Sequence, residues 1–386
     1  MSIYRSTFMK KSFVVAVSLA ATFPAVAAET ANNAFNPALS LILSGQASYF
    51  SKNPSSYSIP GFVLGDEAEL GDEGLALSES EITLSSNVDD QFYGQFTVSI
   101  APNNETSVEE AYLQTLDLPS GLTVRFGRLK SGIGYLNSQH AHTWDFTDAP
   151  LAYRALLNNQ FADDGVRFTW LAPTDIFLEL GSELFRGDAF PAANADHHGA
   201  GAYTVYGHMG GDVGVSHAWQ AGLSHLEAHA QDREASELIF SGDNQINVAD
   251  FVWKWSSNGN PKDRYFKFQA EYLWGSERGH YTDLGNIDVS HSGWYAQIVY
   301  QFIPRWRLGV RYDVVHSDLP SASFYGSVLD PAGVNSHRLS AMLDFSNSEF
   351  SRLRLQLNRD ESSSEASNQV FLQYQMSLGA HGAHSF

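Results

Sequence analysis

From Ser351 to Arg359, Leu353, Leu355 and Leu357 alternate with Arg352, Arg354, Gln356 and Asn358. Successive side chains of a strand point to opposite faces, so this spacing gives one apolar face and one charged face. The pattern recurs at 264–276, where Phe266, Phe268, Ala270, Tyr272 and Trp274 oppose Tyr265, Lys267, Gln269 and Glu271. At 91–101, Phe92, Gly94, Phe96, Val98 and Ile100 oppose Tyr93, Gln95, Thr97 and Ser99. These runs are about ten residues long, enough for a tilted strand to cross a bilayer, whereas typical strands of soluble sandwiches are about half that. Two environments fit them: hydrocarbon outside and solvent inside a cylinder, or the core and surface of a sandwich.

The connections separate the two. Period-two reading gives sixteen strands, at 38–50, 74–86, 91–101, 107–116, 121–131, 164–172, 175–186, 199–209, 212–226, 245–256, 263–276, 291–303, 305–317, 335–346, 350–359 and 369–386. Connections after even-numbered strands are tight, as at 87–90, 118–120, 172–174, 210–211 and 303–304. Those after odd-numbered strands are mostly long, as at 51–73, 132–163, 187–198, 227–244, 277–290 and 318–334. Short turns on one rim and long loops on the other belong to a transmembrane barrel, and a sandwich has no reason to sort loops by parity. Trp219, Trp253, Trp255, Trp274, Trp294, Tyr300, Phe302 and Trp306 fall near predicted strand ends, where interface girdles form. The expected fold is all-β: a transmembrane antiparallel β-barrel of about sixteen strands over 38–386, with a long, inward-folding third extracellular loop.

The two ends fit export to an outer membrane. Arg5, Lys10 and Lys11 precede an apolar run at 13–28 that contains Ala25-Val26-Ala27, so 1–27 reads as a signal peptide and 28–37 as a short periplasmic segment. In the last segment Leu372, Tyr374, Met376 and Leu378 keep phase with the terminal Phe386. A closing strand that ends this way resembles the signal recognised by the barrel assembly machinery of Gram-negative bacteria. The chain has no cysteine, which removes disulfides and thiolate metal sites. Mean hydropathy of -0.22 is compatible with a barrel whose strands are polar on alternate residues. The formal charge of -20 excludes nucleic acid as a partner and predicts a negative field that enriches cations at a pore mouth.

A family resemblance rests on longer stretches. GLALSESEITLSSNVDDQFYGQFTVSIA and VEEAYLQTLDLPSGLTVRFGRLKSGIGYLN resemble phosphate-selective porin-like proteins. NSQHAHTWDFTDAPLAYR, DDGVRFTWLAPTDIFLELGSELFRG and GAHGAHSF resemble a proteobacterial family labelled zinc-regulated or TonB-dependent outer membrane receptor. The architecture is similar to that of the sixteen-stranded porins. That likeness implies a homotrimer in outer-membrane lipid and a third loop that narrows the lumen.

The 132–163 connection is the longest in the chain, and structureless loops of this length are usually functional. By the porin resemblance, His140, His142, Trp144, Asp145, Asp148, Tyr153, Arg154, Asp163 and Asp164 belong to the constriction. Alternation parity places Arg125, Arg167, Arg307, Arg311, Arg338, Arg352 and Arg354 on the lumen wall, with Glu79, Glu81, Glu110, Glu179 and Asp313. A basic wall facing an acidic loop makes a transverse field; alternatively, the arginines simply neutralise the lumen carboxylates.

The fourteen histidines include the close pairs His140 with His142, His197 with His198, His225 with His229, and His381 with His384. Imidazole suits Zn, Cu or Ni, with Asp145 or Asp196 as a further ligand, so transient Zn2+ at His140, His142, His197 and His198 is one reading. Polar loop residues without a metal are the other. No GxSxG, HExxH or phosphate-binding loop is present, and Ser216-His217 and Ser224-His225 point to opposite strand faces, so an enzyme, such as an outer-membrane hydrolase, is not expected. The expected function is passive uptake of small hydrophilic solutes with a cation preference and no resident cofactor. The alternatives are uptake of zinc or another divalent metal, and a surface adhesin or receptor.

Overall fold

The computed structural model describes residues 37–100, 106–193 and 199–379. The proposed signal peptide, most of the 28–37 segment, His197, His198, His381, His384 and Phe386 lie outside these residues. Among the described residues seventeen strand segments follow one another: β1 Ala38–Phe50, β2 Gly74–Leu77, β3 Ser80–Asn87, β4 Phe92–Ile100, β5 Thr106–Thr115, β6 Leu122–Lys130, β7 Ala162–Leu171, β8 Phe177–Phe185 and β9 Ala202–Val213. They continue with β10 His217–Ala235, β11 Leu238–Ser256, β12 Tyr265–Tyr281, β13 Gly285–Ile303, β14 Trp306–Ser317, β15 His337–Ser348, β16 Ser351–Glu361 and β17 Ser367–Gly379. From β3 onward each pairs antiparallel with the next, and β1 pairs with β17 from Ser40–Gly379 to Phe50–Gln369. β2 and β3 both pair with β1, so they are one strand of the wall interrupted at Ser78 and Glu79. The result is a closed sixteen-stranded antiparallel barrel without a free edge.

Hydrocarbon-facing and lumen-facing residues separate as the alternation requires. Leu353, Leu355 and Leu357 are 40–50% exposed on the outside, while Arg354, Gln356 and Asn358 are buried inside. On the outer surface Phe266 stands opposite Tyr300, and six residues further along β12, about 20 Å on, Tyr272 stands opposite Trp294. These two levels, with Trp253, Phe302 and Tyr312, form aromatic belts on either side of the apolar band.

Two expected long loops are not loops. Residues 227–244 and 277–290 mostly continue β10–β11 and β12–β13 as tall hairpins, turned at Ser236-Glu237 and over 282–284. The tight turn placed at Gly210-Gly211 also falls within β9; the chain reverses over 214–216. Above the outer girdle the apolar residues of the tall strands switch faces. On β12 they point outward up to Trp274, beyond which Ser276, Arg278 and His280 face out and Tyr281 faces in; the inward change begins at Leu273. On β11, Phe251 and Trp253 face out, whereas Phe240, Ile246 and Val248 face in. The outward side has left the membrane for water, and the inward side has left water for a core. This change of phase reads in sequence as the end of a strand.

The core it meets is built by loops. Residues 51–73 contribute Ile59, Phe62 and Leu64, and the loop at 131–161 contributes Ile133, Leu136, Trp144 and helix α1, Leu151–Leu157, every residue of which is buried. With Tyr112 and Leu129 on one wall and Leu226, Ile246, Leu273, Tyr295 and Val315 on the other, this apolar layer runs from wall to wall. A second patch joins Val63 to Phe240, Tyr281, Ile287, Phe324 and Leu329. Solvent therefore does not fill the long-loop half of the lumen, contrary to expectation; among the described residues that half is a packed roof. Leu355→Arg, at the centre of the lipid face of β16, should destabilise the barrel by about 2–4 kcal/mol, measured by urea titration in lipid vesicles. Arg359→Lys, beyond the apolar band, should leave the midpoint in place.

Candidate functional site: the charge-stapled loop and the vestibule beneath it

The loop at 131–161 crosses the lumen because wall carboxylates receive its backbone donors. Glu183 accepts from Gly132 N–H (3.0 Å) and from the Ser131 hydroxyl. Glu271 accepts from Tyr135 N–H and Leu136 N–H, both at 3.0 Å, and from the Tyr153 hydroxyl at 2.7 Å. Gly134 sits against this carboxylate with φ +61°, where an added Cβ would come within 2.5 Å of Glu271 Oε2. Asp313 accepts from Leu151 N–H at 3.0 Å, which places a negative charge at the start of α1 and satisfies one of its free donors.

Beyond these anchors, opposite charges decide which part of the loop meets which wall. Asp145 lies 3.0 Å from Lys267 and 3.0 Å from Arg307. Asp148 takes Arg311 at 2.7 Å, Arg338 at 2.8 Å, Gln356 at 2.7 Å and Asn358 at 2.9 Å. Burial works against ionising either carboxyl, but Lys267 and Arg307 hold Asp145, and Arg338 and Arg311 hold Asp148, well below the usual carboxylate range. Arg352 donates to the His142 carbonyl (2.9 Å) and Arg354 to the Trp144 carbonyl (2.8 Å). On the opposite side the histidines meet acids. His142 Nδ1 lies 2.8 Å from Glu81, and His140 lies 3.1 Å from Glu109 and 3.0 Å from Glu110.

Of the residues assigned to a constriction, His142, Trp144, Asp145 and Asp148 line a cavity of about 770 Å³. His140 instead joins the acidic cluster on β3 and β5. Tyr153 is sealed against Glu271, and Arg154 donates to the Ala68 carbonyl in the roof, so neither lines the lumen. Asp163 and Asp164 belong to β7; Asp163 accepts from Gly187 N–H and Asp188 N–H, and Asp164 pairs with the half-exposed Arg128. These four positions correct the expected loop lining, because their side chains hold the loop or its rim in place.

The seven wall arginines do face inward. Arg125, with Arg167 and Glu179, lines a second cavity of about 570 Å³, and Arg125 also lies over the Tyr112 ring. Arg167 pairs with Glu183 and Arg311 with Asp313, so these arginines neutralise lumen carboxylates. Glu79 clusters with Glu81 and Glu109, away from the arginines. The alternation did not single out Lys254, Lys267, Tyr135, Gln269 and Gln297, which also line the larger cavity; the inward parity of 267 and 269 was already visible.

No family model matches the chain. An uncharacterized protein of Aquifex aeolicus (strain VF5) is 30% identical over 396 residues, covering 92% of this chain and 80% of the Aquifex protein. The chain belongs to the family of that Aquifex protein. Among solved structures, the outer membrane channel DcaP of Acinetobacter baumannii superposes with a TM-score of 0.56 at 12% identity, over 89% of this chain and 97% of DcaP. OmpT of Vibrio cholerae, an outer membrane protein solved in a trimer form, gives 0.55 at 11%, over 89% and 99%. An anion-selective porin from Comamonas acidovorans gives 0.55 at 10%, over 89% and 99%. At these identities the likeness is one of fold, that of the sixteen-stranded outer-membrane barrels. The TonB-dependent part of the sequence resemblance is corrected here: those transporters have about 22 strands and a plugged lumen, and in this barrel the chain's own loops fill the outer half.

Asp148→Asn would leave Arg311 and Arg338 buried with a partner charge removed. It should cost about 3–5 kcal/mol of stability, read as a lower urea midpoint. Because Asp145 and Asp148 are held below the unfolded carboxyl value of about 3.9, their contribution is complete above that pH and fades only as pH falls through the lower folded values. The wild-type midpoint should therefore change little between pH 7 and pH 5 on their account.

Proposed function

We propose that this chain is an outer-membrane channel for small hydrophilic solutes, held shut at its long-loop, extracellular end in the conformation described. One observation carries this reading: charged cavities of about 770 and 570 Å³ lie at the short-turn end of a lipid-facing barrel, under an apolar roof made of loops. Packed loops can move as units, whereas Lys254, Lys267, Arg307, Arg311 and Arg352 below them are strand residues held by the sheet. Cations exposed to solvent in a vestibule add little stability, because water screens their pairing. Passage of solute accounts for them; a purely adhesive barrel does not.

The lining also revises the selectivity read from overall charge. Seven lysines and arginines line the larger cavity, among them Lys254, Lys262, Lys267 and Arg352, against the three carboxylates of Asp145, Asp148 and Glu349. Two of those three are already engaged by wall cations. The field inside the vestibule therefore favours anions, while the acidity of the chain resides elsewhere. Export through residues 1–27, assembly through the strand ending at Phe386, and a homotrimer like the trimer form of OmpT complete the proposal. Ser224 and His225 do not form a hydrolase pair: Ser224 accepts from Gly134 N–H inside the barrel, while its neighbour His225 meets Asn247 on the other face.

Reversal potentials in a planar bilayer across a KCl gradient test this reading. Anions should permeate faster than cations, and Lys262→Glu with Arg305→Glu should shift the ratio several-fold toward cations. Leu156→Asp, which places a charge in the roof, should raise the open fraction. If neither the wild type nor the roof variant carries steady current, the channel fails and a surface receptor takes its place.

A further inference from the structure

We infer that Glu81, His140 and His142, with Glu109, form a binding site for a divalent metal ion of the zinc class, which fastens the lumen loop to the acidic wall. The two histidines come from the loop, Glu81 from β3 and Glu109 from β5, so the ion would join three parts of the chain. Both imidazoles address one carboxylate through Nδ1. His142 Nδ1 is 2.8 Å from Glu81 Oε1, and His140 Nδ1 is 3.1 Å from Glu81 Oε2 and 3.1 Å from Glu109 Oε2. One ligand atom from each of Glu81, His140 and His142 lies within 4.8 Å of the others. A tetrahedral zinc with bonds of about 2.0–2.2 Å spaces its ligand atoms roughly 3.4 Å apart, so small side-chain shifts close this set.

Two further observations point to an ion. The far nitrogen of His140, Nε2, lies 3.0 Å from Glu110, which is itself held by Gln95 at 3.1 Å. A carboxylate on the far nitrogen fixes the tautomer and aim of a metal-bound imidazole, and here it directs Nδ1 at Glu81 and Glu109. The second is charge. Glu79, Glu81, Glu109 and Glu110 are gathered around Lys130, which pairs with Glu109 at 3.1 Å and lies 3.4 Å from His140 Nδ1, while Arg125 also acts on Glu110. Glu81 is 1% exposed and Glu109 10%, so this negative charge is poorly screened by water. A divalent ion supplies positive charge where the proton-sharing contacts between imidazole and carboxylate now lie. Two imidazoles with two carboxylates are a borderline donor set, which suits Zn2+ and disfavours Ca2+ or Mg2+. The other described histidine pair gathers no such set, since His225 meets Asn247 and the half-exposed His229 meets Asp243.

Zn2+ titrated calorimetrically into the chelator-stripped, detergent-solubilised full chain should bind at one ion per chain with micromolar or tighter affinity. His140→Ala with His142→Ala should weaken it at least 100-fold. Glu110→Gln, a positioning change, should weaken it roughly 10–100-fold. His280→Ala, an exposed control, should leave it unchanged. Zinc-edge absorption on the wild type, which does not depend on how the variants fold, should show two imidazoles and an oxygen-donor remainder. Unsaturable binding, an unaltered affinity in the double variant, or fewer than two imidazoles around the ion would overturn the site. None of these readouts involves current, so the site and the channel stand or fall separately.

Discussion

The structure depends on charge matching between one loop and two walls. Asp145 and Asp148 seat on the arginine and lysine face of β12 and β14–β16, and His140 and His142 seat on the glutamates of β3 and β5. A loop of some thirty residues has a large conformational entropy to lose on crossing a lumen. Hydrogen bonds to water would compete with a neutral contact there, but buried opposite charges lose far more when separated than when left together. The staple therefore sets the loop's position, and the apolar residues of α1 fill the space that this position leaves.

That division explains the two halves of the barrel. Below the loop the inward residues are mostly charged or amide-bearing, with a small apolar cluster of Phe146, Val299 and Met342, and cavities of about 770 and 570 Å³ remain. Above it the inward faces of β10 to β13 turn apolar and meet loops 51–73, 131–161 and 318–336. Where α1 crosses β13, Gly293 has no side chain, and a Cβ there would stand 2.9 Å from Ala152 Cβ. The roof is thus fitted to the wall as a protein core is. An opening motion would have to break apolar packing and leave the ion pairs below as a hinge.

The parts legible in the sequence were those governed by a single periodicity in a single environment. Leu353 to Asn358 could be read because lipid and lumen face them along their whole length. The same logic placed Arg307, Arg311, Arg338 and Arg354 inside. Reading failed where the environment changed along one strand, as at Leu226 to Ala230, because inverted alternation carries no mark that the strand continues. It also failed for Tyr153, Arg154, Asp163 and Asp164, whose roles depend on partners more than twenty residues away. The excess of acid in the composition says nothing of the lumen by itself, since net charge sums the rims and the lumen without regard to place.

Taken alone, the sequence determined the barrel. Alternation of period two, runs of bilayer length and loops sorted by parity leave a closed antiparallel sheet as the arrangement that satisfies every backbone group in hydrocarbon. Only the tertiary structure decided what the lumen contains. Which carboxylate meets which arginine, that two histidines converge on Glu81, and that the outer half is dry are matters of distance between residues remote in the chain. Local periodicity records which way a side chain points, and carries no record of what stands opposite it across the barrel.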